Sequence, residues 1–581
     1  MAFRVRDLFR TRRQAPPRGA VGLQEANSLI RDGRLDQAAA VLRELLAADP
    51  DNSEAWYKQG NVFKGLDRPA DALASYQRAI DLTPNYTAAH CNRSVVLLAL
   101  GRAQEALRGL ERAIEIDPHD AIAHYNLGVT AQALGRMDAA LAAYDNAIGL
   151  NPHYAEAHFS RGNALARLER WEEALASYDR ALLLEPHNVA AHLHRGNVLR
   201  ALQRWDEALG SYDRAIALTP DQADGHFNRG VLLEQLKRFP AALASFDRAV
   251  AINPQFAPAQ YNRALLLLAS GDFVGGLMNY EWRWKNRDTS FDPATHHGSA
   301  PLWSGRELLE NKSILVFSEQ GLGDTLQFCR YIKLLAERGA TVIFEVQPPL
   351  AGLLAHVAGA SAVIARGDVV PRCDYKCALL SLPLAFDTRV ETIQAQPKYL
   401  RVEAARTARW QHRLGPRTRP RIGLVWSGNA QMPNDHQRSM PLSTLVAHLP
   451  RRYDYFCLQK DIRAQDRATL DANPFIVDHA PDFMDTAALC ECMDIVVSVC
   501  TSVAHLAGAL GRPLWILLAY NADWRWLEER ADSPWYPSAR LYRQKTIGDW
   551  AGVAARVGED LRRTFALPAG HDNGHPPFER E

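Results

Sequence analysis

No stretch of this 581-residue sequence approaches the ~18 consecutive apolar residues of a membrane span. No charge of one sign dominates. Lys plus Arg is 67 against 66 Asp plus Glu, a net charge of +1. The basic surplus or basic run of a nucleic-acid binder is therefore missing. Cysteines number eight, and most lie in apolar runs, where a thiol behaves as a small hydrophobe. Cys373/Cys377 and Cys490/Cys492 lack the spaced second pair of a zinc site, so no structural metal is expected. A reducing cytoplasm fits that usage best. The first 20 residues hold six arginines and no apolar run, which excludes a secretory signal. Residues 1–18 read either as a disordered basic leader or as a transit peptide or membrane-surface arm. The length exceeds one core and predicts about three or four domains.

What is abundant is repetition. Prolines stand at Pro50, Pro84, Pro118, Pro152, Pro186, Pro220 and Pro254, each step 34 residues. Proline stops a helix because it lacks the N–H and disfavours helix in the residue before it. A turn slot lies 17 residues upstream, with Gly33, Gly101, Gly135 and Gly271 and polar residues in the other repeats. Small residues recur at Gly60, Gly128, Gly162, Gly196 and Gly230, and again from Ala72 to Ala242. Bulky residues fill two further registers, Trp171 to Phe273 and Tyr76 to Tyr280. Small positions let paired helices approach, and large ones fill the space between repeats. In period and in every anchor class this resembles the tetratricopeptide repeat. Seven repeats are expected over residues 19–256. Residues 257–300 are expected to form a degenerate capping repeat and joint, keeping Gly271 and Tyr280 but losing the proline and the small residues.

From the second repeat on, each repeat carries an asparagine at one of two sites three residues apart: Asn61, Asn92, Asn126, Asn163, Asn197, Asn228 and Asn262. Sites three apart share a helix face. An amide both donates and accepts, which suits holding an extended peptide regardless of its sequence. A polar ladder along a peptide groove is one reading; the other is that each amide satisfies its own or a neighbouring repeat. The tetratricopeptide transferases that glycosylate serine and threonine carry a similar ladder, and the architecture resembles those protein O-GlcNAc transferases.

Beyond the repeats, short apolar strands alternate with helices, twice over. Strands are expected at 314–317, 342–346, 362–365 and 375–380. A linker at 406–420 follows, and then strands at 422–426, 455–458, 475–477, 495–499 and 514–518. Two βαβ-type halves (301–405 and 421–567) predict parallel sheets facing a cleft, with ligands at the carboxyl ends of the strands. A tail is expected at 568–581. Polar residues collect at those strand ends. The first strand runs into Ser318-Glu319-Gln320-Gly321-Leu322-Gly323-Asp324, which is not the dinucleotide fingerprint. Asp324 stands at a helix start, where an N-cap is the commoner role. The second half opens with Trp426-Ser427-Gly428-Asn429, and its fourth strand ends in Val499-Cys500-Thr501-Ser502-Val503-Ala504-His505. Thr501 and Ser502 lie at a helix N-terminus, which favours phosphate.

The Gly-Leu-Gly-Asp after the first strand, with the later run from Ser498 to Gly511, resembles glycosyltransferase family 9. That is the heptosyltransferase-like branch of the two-Rossmann GT-B fold. Leu458–Asp461, Asp523–Trp526 and Asp532–Pro537 resemble segments of the bacterial proteins that fuse such a domain behind tetratricopeptide repeats. The resemblance implies that Asp324 is the general base toward an acceptor hydroxyl. It implies that Thr501 and Ser502 meet the donor diphosphate and that Ser427, Gly428 and Arg438 form the opposite wall, where a planar guanidinium binds phosphate oxygens in pairs. Cys500 departs from the family's usual aspartate. His505 either packs under the phosphate loop or contacts ligand. Trp524 and Trp526 are either packing or an aromatic platform, and Lys460 and Asp461 could meet a ribose.

The expectation is a nucleotide-sugar-dependent glycosyltransferase, metal-independent because no Asp-x-Asp pair stands at a strand end, and with no cofactor beyond its donor. Its acceptor is a protein or peptide held by the repeats. Nucleic acid is not an expected partner. Two rival readings are a repeat scaffold with a degenerate transferase domain and a transferase acting on a cell-surface glycolipid.

Overall fold

The computed structural model describes residues 18–285, 298–432, 435–478 and 482–566. The expected tail, all but the last residue of the leader, and residues 286–297 of the joint lie outside the described residues. By its internal contacts the chain divides into two compact units between Leu232 and Leu233.

The first unit is a run of helix pairs, from Arg18–Arg31 with Leu35–Ala48 to Val189–Ala201 with Trp205–Leu218, followed by the start of Ala223–Gln235. The glycines of the first helices make close pairing feasible. A Cβ at Gly60 would lie 2.5 Å from the Tyr76 ring, and one at Gly162 would lie 2.7 Å from Tyr178. These rings are fully buried. Each turn within a pair is closed by one left-handed residue. Gly33, Gly101 and Gly135 have φ of 72°, 74° and 74°, while Asp67, Glu169 and Gln203 hold φ of 54°, 58° and 58°. Glycine takes that conformation without the Cβ penalty the others carry.

Two periodic devices join the pairs that hydrophobicity alone does not reveal. The residue six after each repeat proline links to its carbonyl. Trp56 Nε1 donates to Pro50 O at 2.8 Å, and His90, His124, His158, His192 and His226 place Nε2 2.9–3.2 Å from their proline carbonyls. A residue that cannot donate thus still anchors the next helix through its C=O. Arg161, Arg195 and Arg229 reach back to Asp145, Asp179 and Asp213 of the preceding repeat at 2.6–2.7 Å. Such half-exposed pairs contribute about 0.2–1 kcal/mol each, so they set register more than stability.

The second unit opens with the remaining repeat helices, Phe239–Ile252, Ala257–Ala269 and Phe273–Tyr280, and a 3-10 turn at Glu281–Lys285. The eighth pair keeps its small positions, contrary to the expected loss: Ala264 and Gly276 are buried where earlier repeats carry glycine and alanine. Its apolar face is satisfied elsewhere. Ala264, Leu268, Phe273, Leu277 and Tyr280 share one core with Trp303, Phe328, Trp524 and Trp535 of the α/β region, so this pair is part of that region's wall.

Among the described residues ten parallel strands follow: β1 (Ser313–Phe317), β2 (Thr341–Val346), β3 (Ala360–Ala365), β4 (Tyr375–Ala378), β5 (Arg421–Val425), β6 (Asp454–Cys457), β7 (Ile476–Asp478), β8 (Ile495–Val499), β9 (Leu514–Leu518) and β10 (Ala539–Arg543). They form one sheet of order β3-β2-β1-β4 and another of order β10-β9-β8-β5-β6-β7. Every residue of β5, β8 and β9 is buried, as befits parallel strands covered on both faces. β4 ends at Ala378, two residues before its expected end, in a 3-10 turn, Leu379–Ser381. The expected linker begins as a helix, Ala404–Arg413, whose Trp410 is buried. β10 has no counterpart among the expected strands; its Ala-Arg-Leu-Tyr-Arg sequence is too charged to read as buried, and it pairs with β9 at the sheet edge.

Candidate functional site

In each sheet the strand order reverses beside the first strand of the half, between β1 and β4 and between β5 and β8. A crevice opens at such switch points, at the carboxyl ends of the strands. β5 delivers Ser427 and Gly428 there, β8 delivers Cys500 and Thr501, and β1 leads to Asp324.

Asp324 is not the N-cap. The helix Leu322–Phe328 is capped by Gly321, and Asp324 is its third residue, reaching back so that Oδ2 accepts from Gly321 N at 2.9 Å. Its other oxygen accepts from Arg525 Nη2 at 2.5 Å. Burial raises the carboxyl above its usual range while Arg525 pulls it back. Arg525 is itself buried, over the faces of Trp524 and Phe328, and donates to both oxygens of Asp523 at 2.9 and 3.0 Å. Burial opposes the Arg525 charge, yet Asp523 and Asp324 together hold it firmly protonated. Asp523 stays low because Arg525 outweighs burial. The candidate base is thus one arm of a carboxyl–guanidinium–carboxylate triad, fixed in orientation by Gly321 N and Arg525.

The same turn touches the second half. A Cβ on Gly323 would lie 2.8 Å from His505 Cδ2 and 3.4 Å from Ser502 Cα. Thr501 precedes the helix Ser502–Ala509, and no side chain caps that helix; Thr501 Oγ1 instead lies 3.2 Å from Ser498 Oγ. The leading N–H groups therefore face the strand ends, with the dipole behind them. His505 packs: it is buried, lies 5.3 Å from the Trp526 ring and stacks on it, and its Nδ1 meets Tyr536 Oη at 2.9 Å. Burial and Arg525 push its pKa down to about 3, so it is neutral. Trp526 Nε1 donates to Cys500 Sγ at 3.1 Å. Burial pushes the Cys500 thiol up to about 11, with Asp523 adding to it and Arg438 and Arg525 opposing. The thiol is therefore protonated.

On the opposite wall, Arg438 lies over Gly428, where a Cβ would come 2.8 Å from Arg438 Nε. Gly428 N donates to Ser439 Oγ at 2.9 Å. Buried Asp435 gathers the group, accepting from Arg438 Nε and Ser439 Oγ, both at 3.1 Å, and pairing with Arg463. Gln459 clamps the end of β5, accepting from Trp426 N and Ser427 N and donating to Ser427 O. Ser427 Oγ is buried with no hydrogen-bond partner among the described residues. An orphan hydroxyl at a strand end, a half-exposed guanidinium and an uncapped helix are each of a kind that favours an anion. Lys460 and Asp461 are exposed, Lys460 6.0 Å from the Phe483 ring, and only the Asp461 carbonyl takes part, accepting from Gln459.

Arg525, Asp523, Asp435, Arg463 and Gln459 are the residues a linear reading misses. Two of the segments are legible, but their chemistry sits on the neighbours of the residues that stand out. In Asp523–Trp526 the tryptophans pack, Trp524 against Phe273, Tyr280 and Phe328, while the aspartate and arginine organise the site. In Leu458–Asp461 the work falls to the glutamine.

The asparagines divide into two kinds. Asn61, Asn163 and Asn197 each accept from the tyrosine fifteen residues on, Tyr76, Tyr178 and Tyr212, at 2.7–2.8 Å. Asn92 donates to Asn61 Oδ1 at 2.8 Å and to Tyr57 Oη at 3.1 Å. Asn126 and Asn228, and Asn262 of the second unit, are half-buried, and their amides have no partner among the described residues.

Six overlapping matches to the tetratricopeptide repeat family span residues 23–258. The N-terminal part is a tetratricopeptide-repeat array. Such repeats are peptide- and protein-binding modules. Protein FlbA of Caulobacter vibrioides is 27% identical over 318 residues, which are 48% of this chain and 52% of that protein. The chain thus spans about half the length of this curated relative. Among solved structures, YrrB, described as a repeat protein with an unusual peptide-binding site, is 24% identical at a TM-score of 0.30, covering 33% of this chain and 98% of YrrB. MamA of Desulfovibrio magneticus is 22% identical at a TM-score of 0.27, covering 29% of this chain and 96% of MamA. No described helix is long and apolar enough to cross a membrane.

Proposed function

We propose that the chain is a glycosyltransferase of the two-Rossmann GT-B kind, moving a sugar from a nucleotide-sugar to an acceptor hydroxyl on a protein or peptide that the repeats hold. The observation that carries this reading is the packing of the turn before Asp324 against the uncapped helix at Ser502, seen in the close approach of Gly323. A base candidate from one half and a phosphate-favouring helix from the other share one crevice. In this reading Arg438, the Ser427 hydroxyl and the helix N-terminus stabilise the departing diphosphate, so the positive groups are the protein's own and the reaction is metal-independent. Asp324 takes the acceptor proton, and Arg525 favours the ionised form that burial opposes. No cofactor beyond the donor is required.

The test is consumption of uridine, guanosine, cytidine and adenosine diphosphate sugars by the purified protein, with and without repeat-bound acceptor. One donor is expected to be consumed. Asp324→Asn should lower turnover by about 10²–10⁴ while nucleotide affinity stays. Melting is followed in parallel, because that change also breaks the pair with Arg525. Consumption of none of the donors would sink the reading. The scaffold alternative draws on Cys500, whose protonated thiol cannot accept from a sugar as the expected carboxylate would.

A further inference from the structure

Beside the triad, within the second unit, lies a cavity of about 210 Å³ whose polar lining comes from Glu234, Tyr261, Tyr280, Gln320, Asp523 and Arg525. At ~30 Å³ per water it holds about seven waters, or a ligand of about seven non-hydrogen atoms. A nucleotide is too large for it. The lining is rich in acceptors and poor in open donors. The Glu234 carboxyl has no hydrogen bond or ion pair among the described residues, and the Asp523 side chain is 40% exposed. Gln320 Nε2 donates to Tyr280 Oη at 3.0 Å, which leaves lone pairs on the amide oxygen and the phenol. The cation of the lining, Arg525, turns its Nη groups to Asp523 and Asp324. Its Nε, like Trp524 Nε1, is buried without a partner among the described residues and does not open on the cavity. The Tyr261 and Tyr280 rings stand 5.7 Å apart, and an aromatic face attracts a cation. Such a lining matches an ammonium, which carries three donors and no acceptor, and it meets an anion with like charge at Glu234 and Asp523.

The open carboxyl also titrates where a ligand can be read through it. Burial pushes Glu234 up to about 7. The groups around it titrate elsewhere. Burial holds the Tyr261 and Tyr280 phenols above their ordinary range. At Asp523 burial is outweighed by Arg525, which keeps the carboxylate low, and at Arg525 burial is outweighed by Asp523 and Asp324. Lys237, just past the end of the helix that carries Glu234, is paired with Glu528 at 2.8 Å. An entering cation favours the ionised carboxyl, so its affinity rises as pH climbs through about 7 and a proton is released on binding.

We propose that this cavity binds a compact primary amine, its ammonium between Glu234 and Asp523 and against Tyr261, its short alkyl part on Leu265 and Ala269. The assignment rests on the cavity and not on the transferase reading. The cavity adjoins the guanidinium that holds Asp324. That makes it a site for a small effector, separate from the anion-favouring groups at Ser427 and Arg438.

The experiment is saturation-transfer NMR titration of the full chain with butylammonium, butanol and butyrate, three probes of one carbon skeleton that differ in charge. Butylammonium should bind, butanol at least about tenfold more weakly, and butyrate not at all. Butylammonium affinity should rise between about pH 6 and about pH 8, and calorimetry in two buffers of different ionisation enthalpy should show the released proton. Glu234→Gln, which keeps the size of the side chain and removes its charge, should weaken butylammonium about tenfold and abolish the pH dependence. Ala269→Leu, which fills the cavity, should abolish binding. Equal binding of butanol and butylammonium, binding of none of the probes, or unchanged affinity in Glu234→Gln would overturn the assignment. So would unchanged binding in an Ala269→Leu variant that melts as wild type does. If Ala269→Leu melts early, Glu234→Gln decides.

Discussion

An asparagine on a repeat helix has one amide and two demands on it, and in three repeats a tyrosine hydroxyl takes it. Tyr144 and Tyr280 turn instead to Gln132 and Gln320, and the asparagines there stand three residues earlier, at Asn126 and Asn262. Where the second helix carries Tyr76, Tyr178 or Tyr212, the first helix carries Asn61, Asn163 or Asn197 to accept from it. Where the aromatic is Phe246, which has no hydroxyl, the matching first-helix site is Val231 and the asparagine stands three residues earlier, at Asn228. A buried phenol needs a partner, so this register is structural. In the other register Asn92 binds Asn61 and Tyr57, whereas Asn126 and Asn228 keep their amides open. Asn163→Ala should lower stability by about 0.5–1.5 kcal/mol, and a double-mutant cycle with Tyr178→Phe should show coupling of that order. Asn126→Ala with Asn228→Ala should leave the denaturation midpoint unchanged and weaken peptide binding. Chemical denaturation of the four variants checks both halves. The sequence marks the ladder but not this split, because the partner lies fifteen residues away on another helix.

At the scale of the element, the repeat turns show how local chemistry and period agree. One residue per repeat is left-handed, glycine in some copies and Asp67, Glu169, Gln203 or Lys237 in others. Gly135→Ala should cost about 1–2 kcal/mol. Gln203→Gly should relieve part of the same cost, offset by the greater freedom of glycine in the unfolded chain. Equal denaturation midpoints for Gly135→Ala and wild type would contradict this account of the turns. The repeat helices and nine of the ten described strands were legible because their apolar periods are clean, whereas Ala404–Arg413 read as linker. β10 was not, since Arg540 and Arg543 break the pattern and its pairing with β9 is decided in three dimensions. Asp324 likewise reads as a cap from its position at a helix start, and only the fold shows that Gly321 takes that place.

At the scale of the whole molecule, the division at Leu232 and Leu233 falls inside a repeat helix, Ala223–Gln235. The last repeat helices belong by packing to the α/β unit, where Phe273 and Tyr280 meet Trp524. Sequence alone places the boundary where the proline period stops, since period is visible and shared core is not. That packing sets Tyr261 and Glu234 beside Arg525 and gives the crevice its repeat-built wall. The central claim is that the strand ends of the second sheet bind the diphosphate of a nucleotide-sugar. Calorimetric titration of wild type and Arg438→Ala with uridine, guanosine, cytidine and adenosine diphosphates tests it most directly. The account predicts that one of them binds wild type and that Arg438→Ala loses about 1–3 kcal/mol of that affinity. Binding of none, or equal affinity in the variant, would contradict it.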